Sequence, residues 1–496
     1  MKRISFFLIC LIVSLQIQAQ GSFNCFSVLA GKKATTDGSV LFAHNEDDYG
    51  DVYFNIYVVP GSNANISGSI AHEAAGPEAG SADGNCRYLW LEMPGMHFSD
   101  SYMNEFGVVI ASDACPSRED QPELTDGGIT WELRNTMARE ARSARHAVEI
   151  ARALIEERGY NSSGRTYCIA DPNEAWMLSV VNGKRFVAKR IPDDAVAVIP
   201  NYYTITDVNL NDRQNVIASP DLITYAEKRG WYNPKQDGQF SFRKAYGSEQ
   251  SLRHPVNMGR MWAGYRLLSE KEAEYGQEFP WVFVPANPVD VSRLMEVLSD
   301  HYEGTHLDAL KTGKPGNPHD AEPGAICAEH TRYGFVAHLQ GRHPLPLGCV
   351  MWLAPYRPCV QAWFPLYAVM TASYKSFAIN VYEHALGNHF DAPSPAKEAN
   401  PGHAYWNYLD FTDHIDENYS ERSPAAARLA RSLTRANLSN HEQVMAQALA
   451  LYEEDPLAAA ELLTRFSIEC TSRSIEMQGN RFNFQKPSEF KTQDQE

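Results

Sequence analysis

"GSFNCFSVLAGKKATTDGSVLFAHNED", residues 21–47, decides how the rest of this chain is read. Two apolar runs, CFSVLAG from Cys25 and SVLFAHN from Ser39, flank TTDG, a cluster of turn formers. Strands on either side of such a turn predict a hairpin. It opens on Cys25 and closes on the acidic run Glu46, Asp47 and Asp48.

A hydrophobic leader precedes the hairpin. Residues 1–19, MKRISFFLICLIVSLQIQA, run from a basic start through an apolar core, Ile4 to Leu15, to the small residue Ala19. That order predicts a secretory signal peptide; a membrane span needs about 20 apolar residues. Residues 20–24 then form a short propeptide, and the mature protein is expected to be secreted or periplasmic. The 496 residues are 44% hydrophobic and 21% charged, which excludes disorder and fibrous repeats. A net charge of −17 argues against nucleic acid, whose phosphates need clustered Lys and Arg. No later run reaches about 18 apolar residues, so no membrane span is expected. Composition sets no oligomeric state.

Further strands are predicted at VYFNIYVVP, RYLWLEM and GVVIASD, with a Gly/Ala/Ser-rich loop over 61–84. One long helix is expected in TWELRNTMAREARSARHAVEIARALIEERG. Leu133, Met137, Ala141, Ala144, Val148 and Ala151 recur there at helical steps, and Gly159 ends it. RTYCIADP, EAWMLSVVNG, KRFVAKRIP and VAVIPNYYTI read as a meander. DVSRLMEVLSDHYEG reads as a helix, and YGFVAHLQG and CVMWLAP as later strands. The last hundred residues hold helical runs such as PAAARLARSLTRANL and HEQVMAQALALYEED, before a polar tail. The expected class is α+β. One catalytic unit covers 25–400, and a helical extension, 401–496, packs on it.

Several chemistries lack their motifs. There is no HExxH, Walker loop, GxGxxG or GxSxG. The histidines form no ligand pattern; His301 and His306 lie on or beside a helix without a third partner. DVNLND, Asp207 to Asp212, resembles part of a calcium loop but lacks its Gly and terminal Glu. Of nine cysteines, Cys10 leaves with the leader; spacing suggests the disulfide pairs Cys349/Cys359 and Cys86/Cys115. No CxxC exists, so a zinc ribbon has no support. No metal or organic cofactor is expected.

Cys25 admits three readings. It is a buried structural cysteine; or a lipidated cysteine of a surface binding module, for which Asn24 fits the lipobox poorly; or an N-terminal nucleophile. In the last case a cut between Asn24 and Cys25 gives one residue both a thiol and an α-amine. The amine titrates near 7.7–8.0, so at about neutral pH it accepts the thiol proton and later returns it to a leaving amine. AHNED favours this third reading, because the second strand returns Asp47 beside the nucleophile to hold that amine.

CFSVLAGKKATTDGSVLFAHNED resembles the opening of the N-terminal-nucleophile cysteine dipeptidases of the dipeptidase A type, relatives of choloylglycine hydrolase and penicillin V acylase. Similarity continues in MNEFGVVIASDA, GITWELRNTMAREARSARHAVEIA, YCIADPNEAWMLSVVNGKRFVAKRIPDDAVAVIPNYYTI, ICAEHTRYGFVAHLQ and LGCVMWLAPYRPCVQAWFPLY. The resemblance implies a four-layer αββα sandwich with two antiparallel sheets, and hydrolysis of dipeptides or short peptides. It implies Cys25 as nucleophile, Asp47 as the acid that orients its amine, and Asn201 in IPNYY as oxyanion donor. Relatives carry Arg in an RNxD arrangement where this chain has His44, a residue whose charge depends on pH. Ser112 stands where many relatives have asparagine, and a backbone N–H could serve as second oxyanion donor instead. Arg260 in NMGRMW matches a distal active-site arginine. The alternative within this fold is an amidase for N-acyl amino acids, conjugated bile acids or penicillin-like amides.

Overall fold

A computed structural model of the chain describes residues 25–49, 52–62, 84–312, 316–392 and 397–479. The leader, the propeptide, most of the loop predicted over 61–84 and the polar tail lie outside the described residues.

The predicted hairpin forms. Strands β1 (Phe26–Ala30) and β2 (Val40–Asp47) pair antiparallel, with Phe26 opposite Asn45 and Ala30 opposite Leu41. Gly38 of the TTDG turn sits at φ 79°, which a side chain would resist. Next come β3 (Asn55–Val59), β4 (Tyr88–Glu92), β5 (Ser101–Asn104) and β6 (Val109–Ala114). The predicted meander holds for β7 (Arg165–Ala170), β8 (Ala175–Val180) and β9 (Phe186–Arg190). However, β10 (Val196–Ile199), expected to continue it, crosses to pair with β1 instead, and β11 (Val216–Ala218) takes the place beside β9. Three late strands follow: β12 (Thr331–Leu339), β13 (Cys349–Pro355) and β14 (Phe364–Tyr367).

These strands make two antiparallel sheets. One has six strands in the order β10-β1-β2-β12-β13-β14, and the other has eight, β11-β9-β8-β7-β6-β5-β4-β3. The sheets meet where β1 lies over β6 and β7, and β2 over β7. Helices α1 (Trp131–Glu140) and α2 (Ala144–Arg158) cover the outer face of the larger sheet. Helices α3 (Pro255–Ser269) and α4 (Val291–Leu298) cover the smaller one over β10, β2 and β12. The result is the expected αββα sandwich.

Both faces of β8 are therefore buried, which explains why AWMLSV reads as nearly unbroken apolar sequence. Trp176, Leu178 and Val180 pack under α1 and α2, while Ala175 and Met177 enter the core shared with the other sheet.

The single helix predicted over 130–159 is two. Ala141 turns to an extended backbone (φ −75°, ψ 137°), and Ser143 starts α2 by accepting a hydrogen bond from the His146 amide. The Asn104 amide bonds the carbonyls of Ala138 and Ala141, and Asp171 accepts from the Ala144 amide, so the break is satisfied on both sides. Side-chain capping here overrides helical periodicity.

Helices α5 (Tyr405–Asp416), α6 (Tyr419–Tyr452) and α7 (Pro456–Gly479) lie against the β14 side of the smaller sheet. Ser467 donates to the Pro365 carbonyl at 2.6 Å, and Asn437 to that of Trp363 at 2.8 Å. No helix among the described residues is long and apolar enough to cross a membrane.

Neither suggested disulfide forms. Cys86 and Cys115 are separate buried thiols, directed at the carbonyls of Ala141 and Pro200. Cys359 lies beside His319, not bonded to Cys349. The Asp207 and Asp212 carboxylates of DVNLND bond Lys189 and Asn215, and do not converge on one point.

Candidate active site

Cys25 heads β1, fully buried. Strand registers, continued to its position, fix what faces it. Ser27 pairs with His44, which sets Cys25 opposite Glu46, and Ser27 pairs with Ile199, which sets Cys25 level with Asn201.

Alternation sends His44 and Glu46 to one face of β2, and Asn45 and Asp47 to the other. On the first face the Cys25 thiol donates to Glu46 Oε1 at 3.2 Å. Glu46 Oε2 lies 3.1 Å from His44 Nε2, His44 Nδ1 lies 2.8 Å from Ser27 Oγ, and Ser27 donates to Asp113 Oδ2 at 2.7 Å. Burial drives His44 down to about 4, against the pull of Asp113 and Asp47, so the ring is neutral near pH 7. Burial also pushes Glu46 well up. With Glu46 protonated, it donates to Nε2 and Nδ1–H donates to Ser27, and every bond from Cys25 to Asp113 then runs in one direction. Asp113 itself is raised to about 7 by burial. Burial first, then Glu46, Asp113 and Asp47, hold the Cys25 thiol well above its ordinary range.

Asp47 works on the opposite face. Its carboxylate accepts from Arg260 Nη2 at 2.7 Å and from Thr331 Oγ1 at 2.7 Å. Arg260, fully buried in α3, also donates to the Cys25 carbonyl at 3.4 Å and to the Ala325 carbonyl at 2.9 Å. It reaches that far because Gly264, one turn along, lets α3 sit close to the sheet; a Cβ there would lie 2.8 Å from Val198 Cγ1.

Asn201 is buried, and neither its amide nitrogen nor its side-chain oxygen has a hydrogen-bond partner among the described residues. An unpaired buried amide is costly to keep, and it stands level with the thiol. Ser112 is engaged elsewhere: its hydroxyl accepts from Arg134 Nη2 at 2.5 Å and Arg165 Nη1 at 3.2 Å. Both cations pull the Glu46 carboxyl down against its burial, and Arg165 does the same to Asp113.

The structure therefore brings Cys25, Asp47 and Arg260 into one bonded group and sets Asn201 beside it. His44 joins through Glu46, with both ring nitrogens used inside the protein, and Ser112 stands next to Asp113. The sequence reading omits Glu46, Ser27, Asp113, Arg134, Arg165 and Thr331. Period-two alternation could have found Glu46, since it puts 44 and 46 on one face. Cys25, His44 and Glu46 also bring ligand-type atoms within 4.8 Å of one another, though all three already have hydrogen-bond partners.

The family model of peptidase family C69 matches residues 102–392. The chain is 25% identical over 372 residues to a probable dipeptidase of Salmonella dublin, covering 70% of this chain and 81% of that protein. It is 21% identical over 502 aligned residues to probable dipeptidase B of Streptococcus pyogenes serotype M1, covering 96% and 95%. Among solved structures, it is similar to penicillin V acylase from Agrobacterium tumefaciens, at 12% identity and TM-score 0.29, covering 69% of this chain and 86% of that one. Conjugated bile acid hydrolase from Clostridium perfringens gives 10% identity and the same TM-score of 0.29, covering 69% and 92%.

Proposed function

The chain belongs to peptidase family C69, and on that footing we propose a secreted or periplasmic cysteine dipeptidase whose nucleophile is Cys25. The observation that carries the reading is the place of Cys25: a strand end that meets Arg260 and Asp47 on one side, Glu46 on another, and the unpaired Asn201 amide by register.

In the uncut chain the Cys25 nitrogen is a peptide amide, and the thiol is held protonated by its surroundings. Attack of that sulfur on the Asn24 carbonyl moves the acyl group to sulfur and frees the α-amine. Water then hydrolyses the thioester and releases the propeptide. The new amine titrates near 7.7–8.0 and brings a positive charge close to the thiol, which favours the thiolate. Asp47 orients the amine with the acceptor positions that Arg260 and Thr331 leave open.

Hydrolysis repeats the same steps in trans. The thiolate adds to the scissile carbonyl carbon, and the Asn201 amide donates to the developing oxyanion. The α-ammonium gives its proton to the departing amine, and water resolves the thioester with the amine as base. A lipid on this sulfur would have to lie inside the sandwich, which disfavours the surface-anchor alternative.

The test is the N-terminus of the mature protein, together with a substrate panel. Intact mass should place the start at Cys25 in wild type and upstream of it in Cys25→Ala. A fully active enzyme that still begins before Cys25 would falsify the mechanism. Dipeptides should be cleaved in preference to N-acyl amino acids, bile-acid conjugates and penicillin V; the reverse preference makes the chain an amidase.

A further inference from the structure

Away from the catalytic cluster, four side chains from four separate segments converge. His301 follows α4, His319 lies in the turn Pro318–Asp320, Cys327 precedes β12, and Cys359 lies in the turn Pro358–Val360. Each offers one ligand atom, and the four atoms lie within 4.8 Å of one another. His319 Nε2 is 3.3 Å from His301 Nε2, 3.3 Å from Cys359 Sγ and 3.7 Å from Cys327 Sγ. A tetrahedral zinc ion, with bonds of about 2.0–2.1 Å to nitrogen and about 2.3 Å to sulfur, holds its ligands roughly 3.3–3.8 Å apart.

The outer partners fix the protons. His301 Nδ1 faces Glu303 Oε1 at 3.0 Å, and His319 Nδ1 faces both Asp416 oxygens at 3.0 Å. A ring nitrogen against a carboxylate carries the hydrogen, so both Nε2 atoms present lone pairs to the same point. Two such lone pairs 3.3 Å apart repel unless a cation lies between them. Carboxylate, imidazole and then metal is the usual order around protein zinc, and both histidines have it. His301, His319 and Cys327 are buried and Cys359 is half-buried.

We propose that His301, His319, Cys327 and Cys359 bind a structural zinc ion. Four protein ligands close the coordination shell, leaving no position for substrate. Two thiolates and two neutral imidazoles balance its charge.

The ion would brace the active site from behind. The loop that carries Cys327 presents the Ala325 carbonyl to Arg260 and the Ile326 carbonyl to Asn45, and Thr331 beyond it binds Asp47. Asp416, at the end of α5, also bonds Arg357, so the C-terminal helices join the same node. The inference does not depend on Cys25 being the nucleophile.

The experiment uses full-length protein produced with zinc in the medium and purified without chelator. Elemental analysis and native mass spectrometry should give about one zinc per chain, in wild type and equally in Cys25→Ala. Cys359→Ser should lower the zinc content severalfold. Cobalt exchanged into Cys25→Ala should show a thiolate-to-cobalt charge-transfer band, which separates metal binding from mere misfolding of the serine variant. Wild type that takes up neither zinc nor cobalt overturns the proposal. So does a Cys327–Cys359 disulfide in peptide maps of the freshly purified protein, or zinc lost in Cys25→Ala but kept in Cys359→Ser.

Discussion

Arg260 Nη2 and Asp47 Oδ2 meet at 2.7 Å with neither side chain reaching solvent, joining α3 to the end of the strand that returns beside Cys25. Removing one member of a buried pair leaves the other charged and unpaired.

Arg260→Ala is therefore expected to lose about 3–5 kcal/mol in urea unfolding. Burial already raises Asp47, and Arg260 is the main force opposing that rise. Without it the carboxyl stays protonated to higher pH in the folded state. Such a group stabilises below its unfolded pKa and loses that contribution as pH rises through its folded pKa. The deficit of the variant should therefore be smaller at pH 5 than at pH 8, and equal deficits would contradict the assignment.

Asn201→Ala separates catalysis from stability. With both amide atoms unpaired, their loss should leave the melting temperature unchanged or raise it slightly. Turnover should fall by about 100- to 1000-fold with little change in KM. Steady-state kinetics beside a thermal melt reads both.

Asp113→Asn tests the chain of hydrogen bonds that ends at Asp113. In wild type, Asp113 rises from an ordinary 3.8 to about 7. Between those values the unfolded state loses its proton while the folded state keeps it, so this group lowers stability as pH rises. His44, depressed from 6.5 to about 4, does the opposite over most of the same range. Wild type should be nearly flat in this respect. Asp113→Asn keeps the acceptor for Ser27 but removes the fall. Its stability relative to wild type should therefore climb between pH 4 and 7, by an amount on the order of a few kcal/mol. Parallel curves would show that Asp113 is ionised throughout.

Gly264→Ala should destabilise although alanine is the better helix former by about 1 kcal/mol. The new methyl meets Val198 Cγ1 at 2.8 Å and Phe26 Cζ at 3.2 Å, both in strands beside the site. Such overpacking costs about 1–3 kcal/mol, and the steric loss should win by roughly 1 kcal/mol. Chemical denaturation checks the sign, and a shift of Arg260 should also slow turnover.

Much of the sandwich was legible locally. Local apolar runs and turn residues specify the 25–47 hairpin and the 165–190 meander without help from distant sequence, whereas the crossing of β10 to the other sheet depends on β1 and was not legible. The break at Ala141 was not legible, because Asn104 and Asp171, which stabilise it, come from other strands. Cys25, Asp47 and Arg260 could be aligned with a family, yet Thr331 has no signal before β12 is paired with β2. His44 reads as a pH-dependent substitute for arginine, and only burial shows it held neutral. The His301, His319, Cys327 and Cys359 cluster was missed for the same reason: four segments supply one ligand each, and no short spacing betrays them.

The pairing of β2 with β12 also carries a consequence for how the protein is made. A ribosome must pass residue 331 of 496 before the strand that flanks β2 and the threonine that holds Asp47 exist at all. The 25–47 hairpin lacks both neighbours until β10 is made, and it keeps its β2 side open until β12 follows. Closing a loop of that length is slow in folding terms. The segment that carries Cys25 is thus made well before its surroundings are completed, so an emerging polypeptide carries that thiol in an unfinished setting past every neighbour it meets on the way out.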